Sequence, residues 1–468
     1  MAAGTIAVLD IGKSNIKLSA CTSACDVLET MSTPNPVLPG PPWAHHDMAH
    51  LNIWVLESLA DLGRRHPLAR IIAAGHGSGG MLVGDDPDAD DDGLVLPMID
   101  YEQPLPDGVA RAYVPLAGDF FDRGSAIMMS ATHAARQLYW ADRDRPDGVA
   151  RARWFLGVPQ YWGWRLSGVA VSEVTILGAQ SHLWNVARRH WAPIVATQGW
   201  QRLMPPMAPA WADLGPIRPA MSRRWRLPAG LRVHVGVHDS SANFYRYQAA
   251  GLTDVTVVST GTWIVAMADR VDISRLDEVL GMTCNADVTG AAIGGALTMG
   301  GREYTAIVGE QASGAQVDVR VLTDLVSRGT MALPTFGAND GQFPGSAGQG
   351  RIVGPPPATA AERLALAVLY AALLTVACAD TLDPDRRLIL DGSFLRDPAF
   401  AAIVAGLRPG RQTLVNPEGY GIAAGAALLC AHGAPPAPLQ LTMAQAAGIP
   451  DLSRYAAEWR RQAKGPKA

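Results

Sequence analysis

The chain opens with an apolar run rich in β-branched residues, Thr5 to Asp10. A polar turn over residues 11–15 follows, then a second run from Ile16 to Ala20. Short apolar runs bounded by turn residues predict buried strands, so this segment reads as a β-hairpin with polar groups at its tip. Asn52 to Arg64 places Ile53, Leu56, Leu59 and Ala60 at helical spacing, which predicts an amphipathic helix. Arg70 to Ala74 predicts another strand, running into the loop Gly75-His76-Gly77-Ser78-Gly79-Gly80. Pro34 to Pro42 reads as a loop, Ser125–Trp140 and Ser172–Arg188 as helical, and Pro193–Pro228 as loop-rich. Leu231 to Val235 is a strand candidate leading into Gly236-Val237-His238-Asp239.

The opening theme then returns. Asp254–Val258 is an apolar run, Ser259-Thr260-Gly261-Thr262 a polar turn, and Trp263–Met267 the returning run. A third copy of the strand-then-small-turn pattern ends in Asp391-Gly392-Ser393. It is preceded by a helix from Thr359 to Asp380, with Thr359 as its N-cap, and followed by a small-residue helix over Gly421–Ala431. Two hairpins about 250 residues apart predict two related α/β halves, 1–240 and 241–468, matching the soft expectation of ~100–200 residues per domain.

Composition narrows the function. The chain is 48% hydrophobic and 18% charged with net charge -4, ordinary for a well-buried enzyme. There is no Lys/Arg-rich run, which argues against nucleic acid and against an anionic membrane surface. No apolar run of ~20 residues stands out as a membrane span, and the N-terminus does not read as a signal peptide, so a cytoplasmic location is expected. The five cysteines are odd in number and sparse, which does not suggest a disulfide framework. His45, His46 and His50 lie in a Pro-rich loop without a carboxylate–histidine pattern, and no metal site is expected there. The acidic run Asp85–Asp92 is expected to be a solvated loop.

Four segments carry candidate chemistry. In Asp10-Ile11-Gly12-Lys13-Ser14-Asn15, a carboxylate at a strand end precedes a glycine that lets backbone N–H groups approach a phosphate. Asp10 is then free to hold Mg²⁺ directly or through water, and Lys13 and Lys17 could offset phosphate charge. It is not a Walker P-loop, whose glycine–lysine spacing is absent. Ser259 to Thr262 is a second phosphate-type turn; either turn alone is equally an ordinary hairpin tip. Asp239 follows a buried strand and precedes small residues, which suits both a helix N-cap and a general base that accepts a hydroxyl proton in phosphoryl transfer. The small residues around Asp391–Ser393 and Asn416–Ala427 allow a flat ring to approach, or two helices to pack.

Taken in order, Asp10-Ile11-Gly12-Lys13, Gly236-Val237-His238-Asp239, Ser259-Thr260-Gly261-Thr262-Trp263, Asp391-Gly392-Ser393 and Glu418 through Ala427 resemble the FGGY family of carbohydrate kinases over nearly the whole chain. Gln137-Leu138, Tyr161 to Gly168, Glu173 and Leu177-Gly178 add to the likeness. The resemblance implies two ribonuclease-H-like domains of the actin-like ATPase superfamily flanking a deep cleft for ATP and a sugar. It implies Asp239 as general base and Asp10 as the residue assisting Mg²⁺. Gly12, Lys13, Ser14, Asn15, Gly261 and Thr262 would hold phosphates, with Gly392 and Ser393 at the adenosine. The motif forms resemble the rhamnulokinase and fuculokinase side of the family, whose acceptors are small ketoses. Lys13 stands where Thr is usual, Ser393 replaces a second Gly, and the frequent Trp-x-Asp-x-Arg segment is replaced by Pro97-Met98-Ile99-Asp100-Tyr101-Glu102. His76, Asp100, Tyr101, Glu102 and His238 are the candidate sugar contacts, because hydroxyl-rich ligands require convergent polar groups. ATP and a sugar are the expected partners, and a homodimer is one assembly open to the chain. A non-catalytic sugar sensor and an actin-like ATPase with a non-sugar partner are the competing readings.

Overall fold

The computed structural model describes residues 4–309, 316–434 and 439–464. The chain divides into two compact units. The first comprises residues 1–251, 284–292 and 420–438, the second residues 252–283, 293–419 and 439–468.

The first unit is built on β1 (Thr5–Ile11), β2 (Asn15–Cys21), β3 (Val27–Pro34), β4 (Leu68–Gly75), β5 (Asp213–Pro216), β6 (Arg232–His234) and β7 (Val237–His238). The sheet order is β5-β6-β4-β1-β2-β3, with β7 also pairing β4. β1 and β2 form the antiparallel hairpin, while β4 runs parallel to β1. β1 is buried on both faces, which is why its sequence is nearly continuous in apolar residues. Alternate residues face opposite sides of a strand. Ala7, Leu9 and Ile11 join one core with α1 (Met48–Arg65) and α2 (Val158–Ser167). Ile6 and Val8 join the other, with α3 (Asp239–Ala249) and α4 (Gly421–Leu429). The small residues of α4 serve this packing: a Cβ at Gly425 would lie 1.8 Å from the Ala242 carbonyl oxygen of α3.

The second unit repeats the scheme with β8 (Val255–Thr260), β9 (Ile264–Ala268), β10 (Ala292–Thr298), β11 (Arg387–Gly392), β12 (Thr413–Val415) and β13 (Thr442–Met443). These six run in the order β10-β9-β8-β11-β12-β13 within a seven-stranded sheet. β8 and β9 form the hairpin, and β11 runs parallel to β8 as β4 does to β1. The core is centred on the helix Ala360–Leu382, whose start carries a full capping box between Thr359 and Glu362. This helix is long and apolar enough to cross a membrane by length and composition, contrary to the expectation that no such run exists. Yet 83% of its apolar window is buried inside the protein, as in a core helix.

Several expected elements differ. Ser125–Trp140 is helical only from Ala134, in a helix ending at Asp144. Ser130 and His133 take φ of 53° and 88°, which no helix tolerates. Within Ser172–Arg188 only Val174–Leu177 is helical, because Gln180 and His182 also have positive φ. The two irregular stretches brace each other. His133 and His182 stack at 3.6 Å, His182 Nδ1 lies 2.9 Å from the Tyr113 hydroxyl, and His133 Nδ1 is 2.8 Å from the Gln180 carbonyl. Pro193–Pro228 contains β5 and the helices Pro193–Thr197 and Pro219–Trp225, each with Pro in its first turn. The Pro34–Pro42 loop includes a two-residue strand, Val37–Leu38, paired with His45–His46. The acidic loop is pinned rather than merely solvated: buried Arg165 pairs with Asp88 (3.0 Å) and Asp92 (2.6 Å), and Arg218 also grips Asp88.

Candidate functional site

Parallel strands deliver their C-terminal ends to one edge of a sheet, where α/β proteins bind ligands. In the first unit Ile11 of β1 and His238 of β7 both sit in register with Gly75 of β4. Asp10, His76 and Asp239 therefore emerge at the same edge. Asp239 is the first residue of α3 and His238 its N-cap. The carboxylate of Asp239 accepts from the Ser240 N–H at 2.5 Å and lies 3.2 Å from His238 Nε2. Nδ1 of His238 is 3.1 Å from Ser241 Oγ. Burial pushes the His238 pKa down, so the neutral ring can donate to Asp239 through Nε2 and accept from Ser241 through Nδ1. Two residues outside the expected set hold this strand end. The His238 N–H donates to Thr175 Oγ1 (2.9 Å), which donates to the buried Glu173 carboxylate (2.6 Å).

Burial raises the Asp10 pKa to about 7; the Asp239 charge adds to the rise and Lys17 opposes it. His76 is driven down to about 4, first by burial, with Lys13 and His238 lowering it and Asp239 and Asp100 raising it. These mutual influences place Asp10, Lys13, His76, Asp100, His238 and Asp239 in one neighbourhood. Tyr101 joins them: its ring centroid is 5.3 Å from that of His76 and 5.4 Å from Lys13 Nζ. Neither ring nitrogen of His76 has a hydrogen-bond partner among the described residues, although both are buried. Unpaired buried polar atoms are costly, and a hydroxyl-bearing ligand would satisfy them. Glu102 is half-buried, and its N–H donates to Asp100.

The hairpin tip has Gly12 N–H donating to the Asn15 carbonyl (3.1 Å), with Ser14 and Asn15 exposed. Lys13 does not stand open at the tip; its ammonium pairs with buried Asp100. Asn35 braces the tip by donating to the Gly12 carbonyl (2.8 Å), and its side-chain oxygen meets His46 Nδ1 (2.9 Å). Nothing in the sequence marks Asn35 or His46 as part of this brace, because both sit in a proline-rich segment without periodicity.

In the second unit the β8–β9 turn places Gly261 and Thr262 at the tip. Gly261 N–H donates to Trp263, and Gly301 N–H to the Thr262 carbonyl. Gly392 ends β11 in register with Thr260. Its φ is 98°, and a Cβ there would lie 2.2 Å from the Thr260 carbonyl oxygen, so only glycine fits. Ser393 Oγ donates to that same oxygen at 3.2 Å. Asp391 accepts from Asn416 Nδ2 (3.3 Å), joining this turn to the segment after β12.

The first unit fits a divalent cation held mainly by its ligand. Asp10 is a carboxylate whose burial makes its charge costly, a cost that a cation relieves. No cluster of three or more His, Cys, Asp or Glu side chains suited to a metal exists among the described residues. Mg²⁺ bound through one carboxylate, waters and substrate phosphates needs no such cage.

Residues 5–244 match the FGGY family of carbohydrate kinases, N-terminal domain, and residues 252–438 match carbohydrate kinase FGGY, C-terminal domain. The chain belongs to this family. It is an ATP-dependent sugar kinase. No match is found among curated proteins. Among solved structures, a carbohydrate kinase from Novosphingobium aromaticivorans is 29% identical over 100% of both chains, with a TM-score of 0.82. A gluconate kinase from Lactobacillus acidophilus (15% identity, 99% of each chain, TM-score 0.78) shares the fold. So does a xylulose kinase from the same organism (16% identity, 98% of this chain and 96% of that one, TM-score 0.76). The two-domain α/β architecture is thus that of sugar kinases of the actin-like ATPase fold.

Proposed function

We propose that the acceptor is a small neutral ketose, a pentulose or a 6-deoxyhexulose such as L-rhamnulose or L-fuculose, and that Asp239 is the general base. The observation that carries this is the meeting at one sheet edge of Asp239, His238 and His76, whose two buried ring nitrogens have no hydrogen-bond partner among the described residues. Asp239 takes the proton of the acceptor hydroxyl as that oxygen bonds to the γ-phosphorus. The bond from γ-phosphorus to the β–γ bridging oxygen breaks in line, and ADP leaves with that electron pair. His238 holds the Asp239 carboxylate through Nε2, and Thr175 holds the backbone of His238. His76, Asp100, Tyr101 and Glu102 orient the acceptor. The tip residues Gly12, Ser14 and Asn15, with Gly261 and Thr262, offer backbone and hydroxyl donors to phosphates, and Gly392 and Ser393 flank the adenosine. Mg²⁺, held by Asp10, would offset phosphate charge during transfer.

A coupled ADP-release assay over L-rhamnulose, L-fuculose, D-xylulose, D-gluconate and glycerol tests the reading. Turnover is expected on a ketose and is expected to fall by about 10²–10⁴-fold in Asp239→Asn. Preference for gluconate or glycerol overturns the acceptor class, and turnover retained near the wild-type rate in Asp239→Asn overturns the base.

A further inference from the structure

Lys13 lies at the tip of a phosphate-type hairpin, yet its ammonium is turned away to Asp100, 87 residues on. Both side chains are almost wholly enclosed, at 9% and 10% exposure. Asp100 is fixed on its other sides: its N–H donates to the Ala44 carbonyl (2.9 Å), and its carboxylate accepts from the Glu102 N–H (3.1 Å). The Lys13 ammonium also sits over the Tyr101 ring. A second tie runs in parallel, from the Gly12 carbonyl through Asn35 to His46, whose ring centroid is 6.4 Å from that of His76. Residues 12 and 13 are thus joined separately to the two segments that carry the candidate acceptor contacts.

We propose that Lys13 is a positioning residue for the acceptor rather than a phosphate ligand. It holds Asp100 and Tyr101 in place from the hairpin tip, so that phosphate turn and acceptor loop form one rigid piece. A threonine at this position is too short to reach Asp100, whereas lysine's four-carbon stem spans the gap. A buried charge whose partner is removed is left uncompensated, so loss of either member disturbs the same loop. This inference rests on the kinase reading above.

The test compares Lys13→Met, Asp100→Asn and the double variant, using the best of L-rhamnulose, L-fuculose and D-xylulose as acceptor. Each single variant is expected to raise the acceptor KM by roughly tenfold or more while leaving the ATP KM within about twofold. The double variant is expected to be no worse than the worse single, because both remove one device. Lys13→Arg, which keeps the charge, is expected to recover part of the acceptor KM, and it carries the test if Lys13→Met does not fold. A raised ATP KM with an unchanged acceptor KM would make Lys13 a phosphate ligand and overturn the proposal. Effects that multiply in the double variant would overturn it too. Absence of wild-type turnover on all three ketoses sinks the underlying function, and this inference with it; wild-type turnover with the wrong KM split sinks the inference alone.

Discussion

Gly425→Ala adds one methyl group to α4 where that helix crosses α3. The new Cβ would meet the Ala242 carbonyl oxygen at 1.8 Å and its carbon at 2.5 Å. Both atoms are backbone, so no side chain can swing aside. Restoring an ordinary contact of ~3.4 Å requires the helices to part by about 1.5 Å. Overpacking of this kind costs roughly 1–3 kcal/mol, with the upper part of that range expected against rigid backbone. Alanine's better helix propensity returns ~1 kcal/mol, leaving a net loss of about 2 kcal/mol. For a unit of this size that lowers the thermal midpoint by about 4–8 °C. Because α3 begins at Asp239, the same displacement moves the proposed base, and a shift of ~1 Å can cost about 10²-fold in rate. Circular dichroism melting and steady-state ADP release measure the two effects. Gly230→Ala, where an added Cβ meets nothing within 4 Å, serves as the control. A Gly425→Ala protein with the wild-type midpoint and kcat would refute the reasoning.

Asp239→Asn is expected to lower kcat by about 10²–10⁴-fold with the melting midpoint held near wild type; a loss under tenfold in single-turnover assays argues against a base at this position. Gly392→Ala forces a side chain into φ of 98° against the Thr260 carbonyl, so calorimetry should show destabilisation and the ATP KM should rise, whereas unchanged ATP kinetics would remove this turn from the nucleotide site. Burial holds the His133 pKa down to about 3 and that of His182 well below its usual value. The unfolded chain therefore binds more protons below about pH 6.5, and stability falls with acid by up to ~1.4 kcal/mol per pH unit for each ring. Glu173, raised to about 7 by burial, acts with the opposite sign: between about pH 4.5 and 7 the native state holds a proton that the unfolded state has released. Glu173→Gln should accordingly steepen the acid loss in urea titrations between pH 7 and 5, and a shallower profile would contradict this assignment.

The strands that place the site were readable because they are buried on both faces. β1, β4 and β8 announce themselves as apolar runs, and the two hairpins with their polar tips follow directly. β3 was not legible: its residues alternate half-buried and exposed with Glu29, Thr30 and Ser32 among them, and only its ladder to β2 makes it a strand. The helices expected over Ser125–Trp140 and Ser172–Arg188 share a different cause. Their local composition favours helix, but a stacked histidine pair and its hydrogen bonds hold positive-φ backbone at His133, Gln180 and His182, and Arg136 holds the carbonyl of Ser130. Tertiary contacts override propensity there. At the site, Lys13 and Asp100 were each legible as polar residues near chemistry. That they belong to each other was not, because nothing local joins positions 87 residues apart.

Helix α4 comes from residues 421–429, yet it packs on α3 and fills the core beneath β1, the first strand of the chain. The order of synthesis therefore runs against the order of assembly. While residues 252–420 are still being made, Ala242 and Tyr245 have no α4 to cover them, and Asp239 heads a segment whose packing partner has not been translated. A fragment ending at residue 251 would stay in that condition. The first unit would thus mature only after some 180 further residues have been made and α4 has returned to it. The proposed base would be set in place as one of the last events of folding, so a truncated or stalled chain would hold the first phosphate-type hairpin without a competent base beside it.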